Sequence, residues 1–156
     1  MRTIAEASAE TTAPDGPPPP LPGFVVSSFS PLVAAAAERC LGAHPPAGDR
    51  TAVVLVSASG DAGMAAHVAR LVDDGARIGP LLFFQAVPNS VAGHVAAHRG
   101  LRGPVVCLCP TGDPKAEGLA QARLLIDDGD ADAVLVVLVE QTAAGDSAHA
   151  LLVEGD

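Results

Sequence analysis

Residues 51–57 read Thr-Ala-Val-Val-Leu-Val-Ser, a β-branched run with no polar residue inside it. A strand with one wet face alternates apolar and polar side chains, so an unbroken run of this kind describes a strand buried on both faces, within a sheet that carries helices. Residues 105–109 (Val-Val-Cys-Leu-Cys) and 133–140 (Ala-Val-Leu-Val-Val-Leu-Val-Glu) are built the same way, and residues 148–154 supply a fourth strand. Helical patterns separate them. Residues 64–74 place Met64, Val68, Leu71 and Val72 on one side of a helix, and residues 116–128 do the same with Leu119, Ala122, Leu125 and Ile126. Strand, helix, strand, helix, strand, joined by right-handed crossovers, gives an α/β domain with a mostly parallel central sheet and helices packed on it.

Turn chemistry places the remaining segments. Residues 31–41 are Ala-rich, preceded by Ser30 as an N-cap and ended by Gly42 and His44-Pro45-Pro46, which marks a further helix. In 87–104, Pro88 biases Val87 towards an extended backbone, and Asn89 or Ser90 is placed to cap the helix that starts there. Gly100 and then Gly103-Pro104 end it. Ser59-Gly60-Asp61-Ala62-Gly63 follows a buried strand but is neither Gly-x-Gly-x-x-Gly nor a Walker loop, so a plain β–α turn is expected. Residues 1–23 include Pro17-Pro18-Pro19-Pro20 and Pro22, a composition that buries little apolar area. They read as a disordered Pro-rich tail ahead of one domain over 24–156, with a short extended piece at 24–27.

Charge narrows the partners. Nine Lys and Arg stand against 18 Asp and Glu, a net charge of −9, and there is no Trp or Tyr. Nucleic acid needs a basic face and, when single-stranded, aromatic platforms, and anionic membranes also call for positive charge, so neither is expected as a partner. No apolar run is long enough to cross a bilayer, and residues 1–13 lack the apolar core of a signal sequence. Cys40, Cys107 and Cys109 have no disulfide-like spacing, which fits a reducing cytoplasm. His94 and His98 have the i, i+4 spacing of a zinc-protease helix, but Val95 stands where that helix carries its glutamate, and no third ligand suggests itself. Neither a metal site nor a cofactor is expected. Asp73-Asp74, Asp127-Asp128, Asp130 and Asp132 fall at helix ends and read as solvated boundaries.

Pro88-Asn89-Ser90, an Ala-Gly helix and the turn Gly100-Leu101-Arg102-Gly103-Pro104 together resemble the stretch of β-ketoacyl synthases that leads into the strand before their catalytic cysteine. Gly129-Asp130-Ala131-Asp132, after the helix over 116–128, resembles the Gly-Asp-Ala-Asp that follows the nucleophile helix in that family. The resemblance covers residues 28–140, with 146–154 as a shortened closing strand. It implies the N-terminal half of a thiolase-type fold.

In the family the strand runs into a Thr-Ala-Cys-x-Ser-Gly-like elbow. A thiol at a helix N-terminus has a lowered pKa, and backbone N–H groups there stabilise the oxyanion formed when an acyl thioester is attacked. Matching both flanks without a gap puts Gly112 where the family keeps its cysteine, and a glycine cannot form a thioester. A register shifted by three residues matches Cys109-Pro110-Thr111-Gly112 to Cys-x-Ser-Gly and restores a nucleophile, but it rotates the apolar stripe of the next helix by about 60°. The gapless register is preferred, with Cys107 and Cys109 as small buried strand residues. Cys109 stays the fallback nucleophile of an acyl-transferring enzyme acting on acyl carrier protein or acyl-CoA. None of the five histidines, His44, His67, His94, His98 and His149, lies in a motif matching those of the family.

The resemblance therefore implies a non-catalytic ketosynthase-like protein that pairs with itself or with a full-length ketosynthase or chain-length factor in polyketide or fatty-acid biosynthesis. In the family, half-domains meet through the strands that lead into the elbow. Those residues here are Val105, Val106, Cys107, Leu108 and Cys109. Phe83, Phe84, Pro88, Asn89 and Ser90 are expected near that contact, or else simply pack their loop.

Overall fold

The computed structural model describes residues 1–14, 16–46 and 48–155. Five strands, β1 (Arg2–Glu10), β2 (Thr51–Val56), β3 (Val105–Leu108), β4 (Ala133–Thr142) and β5 (Gly145–Glu154), form one sheet in the order β1-β5-β4-β2-β3. Strands β3, β2 and β4 are parallel, β5 turns back against β4, and β1 pairs antiparallel with β5, so four of the five run the same way. This is a mixed α/β fold with a mostly parallel sheet, as the alternation of strand and helix implies.

The continuous apolar runs are central because both of their faces are covered. Every residue of β2 is buried. Val53, Leu55, Leu135, Val137 and Leu152 enter one core, while Val54, Val56, Val134, Val136, Leu151 and Val153 enter another on the opposite face. Helices α1 (Phe29–Ala43) and α4 (Asn89–Arg99) cover the first core, and α5 (Pro114–Asp127) covers the second. Helix α1 presents Leu32, Val33, Ala36, Ala37 and Cys40, the spacing of one helical face. In α5, Ala122 and Leu125 are buried with Leu119 and Ile126 packed beside them, the stripe read from the sequence. Each buried Val or Leu contributes about 1.5–3 kcal/mol relative to exposure.

Several local expectations are corrected. Arg2–Glu10 is a strand rather than part of a disordered tail. Its Ala-rich composition hides a period of two: Ala9 is buried, and Ile4, Ala5 and Ala7 pack against the first core. By pairing with β5 it also supplies hydrogen-bond partners that a buried strand needs. The cap residue of α1 is Ser28, not Ser30, which is itself buried in the first turn. Neither Asn89 nor Ser90 caps α4, where Pro88 occupies the cap position. The cause is a helix missing from the sequence reading, α3 (Pro80–Gln85), which runs almost directly into α4. The Ser90 N–H donates to the Val87 carbonyl at 2.9 Å and the Ser90 hydroxyl to the Phe84 carbonyl at 2.8 Å.

Helix α2 (Ala62–Asp73) starts where Asp61 accepts from the Met64 N–H at 2.9 Å, but Met64 is its only buried residue. Val68 and Leu71 are half-buried and Val72 is 59% exposed, so the expected stripe lacks an internal partner. Around the turn after α4 the reading holds. Gly100 sits at φ +67° and ends the helix. A Cβ on Gly103 would lie 2.6 Å from the Thr51 carbonyl, so only glycine lets the turn pass the start of β2.

Candidate functional site

Parallel sheets open at the C-terminal ends of their strands, where connecting loops diverge. Here a cavity of about 380 Å³ lies at that end, between Leu55 and Ser57 of β2 and its turn, Pro88, and Cys107, Leu108 and Cys109. The Cys107 thiol donates to Asn89 Oδ1 at 3.3 Å and the Cys109 thiol to the Ala58 carbonyl at 3.5 Å. Glu140, at the end of β4, accepts from the Ala58 N–H at 2.6 Å and from the Ser59 hydroxyl at 3.2 Å, which fixes the turn beside the cavity.

Both cysteines are exposed, a correction to their expected burial. A last strand has a sheet neighbour on one side only, and β3 buries neither face fully, its residues alternating between exposed and half-buried. Val106 and Leu108 pack towards α5, whereas Val105 and Cys107 are left open. The Cys107 sulfur nonetheless lies partly withdrawn from water, and that burial raises its pKa above the ordinary thiol value.

Beyond β3, Asp113 caps α5 by accepting from the Ala116 N–H at 2.6 Å. Glu117, in the first turn of the helix, folds its carboxylate back over the preceding loop. It accepts from the Gly112 N–H at 2.5 Å, from the Thr111 N–H at 3.0 Å and from the Thr111 hydroxyl at 3.3 Å. The backbone donors ahead of the helix are thus engaged by a side chain of the same protein. A Cβ on Gly112 would lie 3.2 Å from that carboxylate oxygen.

The sequence matches the model of the β-ketoacyl synthase N-terminal domain family over residues 20–147. The chain belongs to this family. No curated protein matches it. Among solved structures, this ketosynthase-type domain is similar to a chain of the complex of a ketosynthase (ApeO) with its chain length factor (ApeC) from Xenorhabdus doucetiae, with a TM-score of 0.75 and 20% identity. That match covers 99% of this chain and 79% of the other. The ishigamide ketosynthase/chain length factor matches with a TM-score of 0.73 and 21% identity over 86% of this chain. A type II polyketide synthase acyl-carrier protein in complex with its ketosynthase, AntDE:AntF, matches with a TM-score of 0.68 and 15% identity over 83% of it. The chain spans 46% of the matched chain in each of these last two. Such identities carry the fold, which is thiolase-type.

Of the residues singled out in the sequence, Pro88, Cys107, Leu108 and Cys109 line one cavity, Asn89 binds Cys107, and Ser90 binds the backbone of Phe84. Phe83, at 72% exposure, and Phe84 are open to solvent rather than packing the loop, although the Phe84 ring also meets Phe24 at 5.6 Å. Gly112 stands apart from these, under Glu117. Sequence reading missed Glu117, Glu140 and the apolar surface of α3. Gly79-Pro80 ahead of an apolar run is a helix-start signal that could have revealed α3. Among the described residues no group of three or more His, Cys, Asp or Glu is placed to hold a metal ion, and no helix is long and apolar enough to cross a membrane.

Proposed function

We propose that this ketosynthase-type domain is a non-catalytic subunit that pairs along the free edge of β3, with a second copy or with a full-length ketosynthase or chain-length factor of polyketide or fatty-acid assembly. The observation that carries the reading is Glu117 over Gly112. Acyl transfer at an elbow needs a nucleophile and empty backbone donors for the developing oxyanion. In the gapless register Gly112 offers no nucleophile, and its N–H already serves a carboxylate, whose negative charge repels another anion.

The two sheet edges differ in a way that favours pairing at β3. An unpaired strand edge invites a second strand unless charges, bulges or a cover prevent it. Strand β1 carries Arg2, Glu6 and Glu10 and breaks register between Thr3 and Ala5. Strand β3, Val-Val-Cys-Leu, has no charge and no irregularity. Leu81, Phe83 and Phe84 on the α3 segment leading to Pro88 and Asn89 add exposed apolar surface for a partner to cover. The complexes of ketosynthases with chain length factors among the structural relatives support the same choice of partner class.

Co-expression with full-length ketosynthases and chain-length factors of this family, followed by affinity purification and light scattering, tests the reading. The expected result is a co-purifying complex or a homodimer that is lost on Val105→Lys, a change at an already exposed position. A monomer that binds none of them overturns the pairing. Intact-mass analysis after incubation with acyl carrier protein or acyl-CoA thioesters is expected to show no acyl adduct. An adduct absent from Cys109→Ser overturns the non-catalytic reading in favour of acyl transfer.

A further inference from the structure

A groove of about 290 Å³ runs between α1, α4 and the Pro-rich segment, lined by Leu21, Pro22, Glu38, His94, Val95 and His98. The two imidazoles project from α4 one turn apart. Their rings are nearly parallel, at 4°, with centroids 6.2 Å apart. Phe24 meets the His94 ring edge-on at 5.8 Å and also packs on Phe84. Among the described residues neither imidazole makes a hydrogen bond, which leaves its nitrogens available as donors to a metal. Glu38 adds a carboxylate to the groove wall, held in place by Arg99, whose Nε donates to it at 2.9 Å.

We propose that His94 and His98 chelate one first-row divalent cation in this groove, with water in its remaining positions. Metal–imidazole bonds are about 2.0–2.1 Å long, and rotation of i, i+4 imidazoles about their side-chain torsions brings one nitrogen of each to a shared ion. Imidazole suits Cu²⁺, Ni²⁺ and Zn²⁺, with Cu²⁺ favoured by the Irving–Williams order. Val95, the residue that spoils a zinc-protease motif, is buried in the core, so the helix face offers a chelate without a catalytic base. Because Arg99 occupies Glu38, that carboxylate contributes negative charge nearby rather than a third ligand.

Titration calorimetry of the full chain with ZnCl2 and NiCl2 tests this, in a Cys107→Ser/Cys109→Ser background so that neither exposed thiol competes. One equivalent is expected to bind, and His98→Ala is expected to weaken binding about tenfold or more. His98 is exposed, so this change spares the core. His67→Ala is expected to have no effect. Absence of binding up to about 1 mM cation, or unchanged affinity in His98→Ala, overturns the proposal.

Discussion

Glu117 ties the start of α5 to the loop before it with a single carboxylate, and among the described residues no other side chain binds the Thr111 and Gly112 N–H groups. Charge-assisted hydrogen bonds are worth more than neutral ones, though exposure to water reduces their net contribution. Glu117→Gln keeps the size but removes the charge, and we expect it to lower stability by about 1 kcal/mol, read as a lower urea midpoint. Cys40 shows the opposite situation, a group whose ionised form the fold disfavours. Burial raises its pKa above the ordinary 9.0, a backbone hydrogen bond at Leu152 works against that rise, and Glu6 adds to it. Between the ordinary and the raised value the unfolded chain has lost a proton that the folded chain keeps, so stability present below about pH 9 declines as pH rises. The urea midpoint is expected to fall on raising the pH above 9, and to fall less in Cys40→Ala.

At the level of elements, the two edges of the sheet do different work. Strand β1 closes one rim by pairing with β5 from Arg2↔Glu154 to Glu10↔Ser147. Proline at Ala7, opposite Ala150, removes a backbone donor, and where that donor is paired with β5 the lost ladder hydrogen bond costs about 1 kcal/mol. Ala7→Pro is expected to lower the urea midpoint and to speed amide exchange along β5 while β2 keeps its protection. The visibility of each element in the sequence follows from how local its cause is. Strands β2 and β4 were legible because burial on both faces writes an unbroken apolar run. Strand β1 was not, because alanine and threonine blur its alternation beside a proline-rich stretch. Helix α3 was masked by Phe83 and Phe84, aromatic residues that read as strand. The place of Gly112 in the loop ahead of α5 was legible from its flanks, whereas the reach of Glu117 depends on how the loop curls. The exposure of Cys107 and Cys109 depends on strand order, which is a property of distant pairings rather than of local pattern.

Taken whole, the molecule builds its two cavities from different residues. The uncharged β3 edge, the cavity beside Cys107 and Cys109, and the Glu117-held loop at Gly112 lie at or beyond the rim formed by β2 and β3. The His94 and His98 groove lies on the outer helical layer formed by α1 and α4. The placement of β1 also sets an order in time. Strands β4 and β5 are joined by a tight hairpin, with Thr142 opposite Gly145, and can zip as soon as both exist. Strand β1 must wait for a partner near the other end of the sequence, and such distant pairings form slowly. During synthesis it emerges before β5 and stays unpaired until β5 has left the ribosome, so Arg2, Glu6 and Glu10 protect a nascent strand from mispairing before they guard a finished edge.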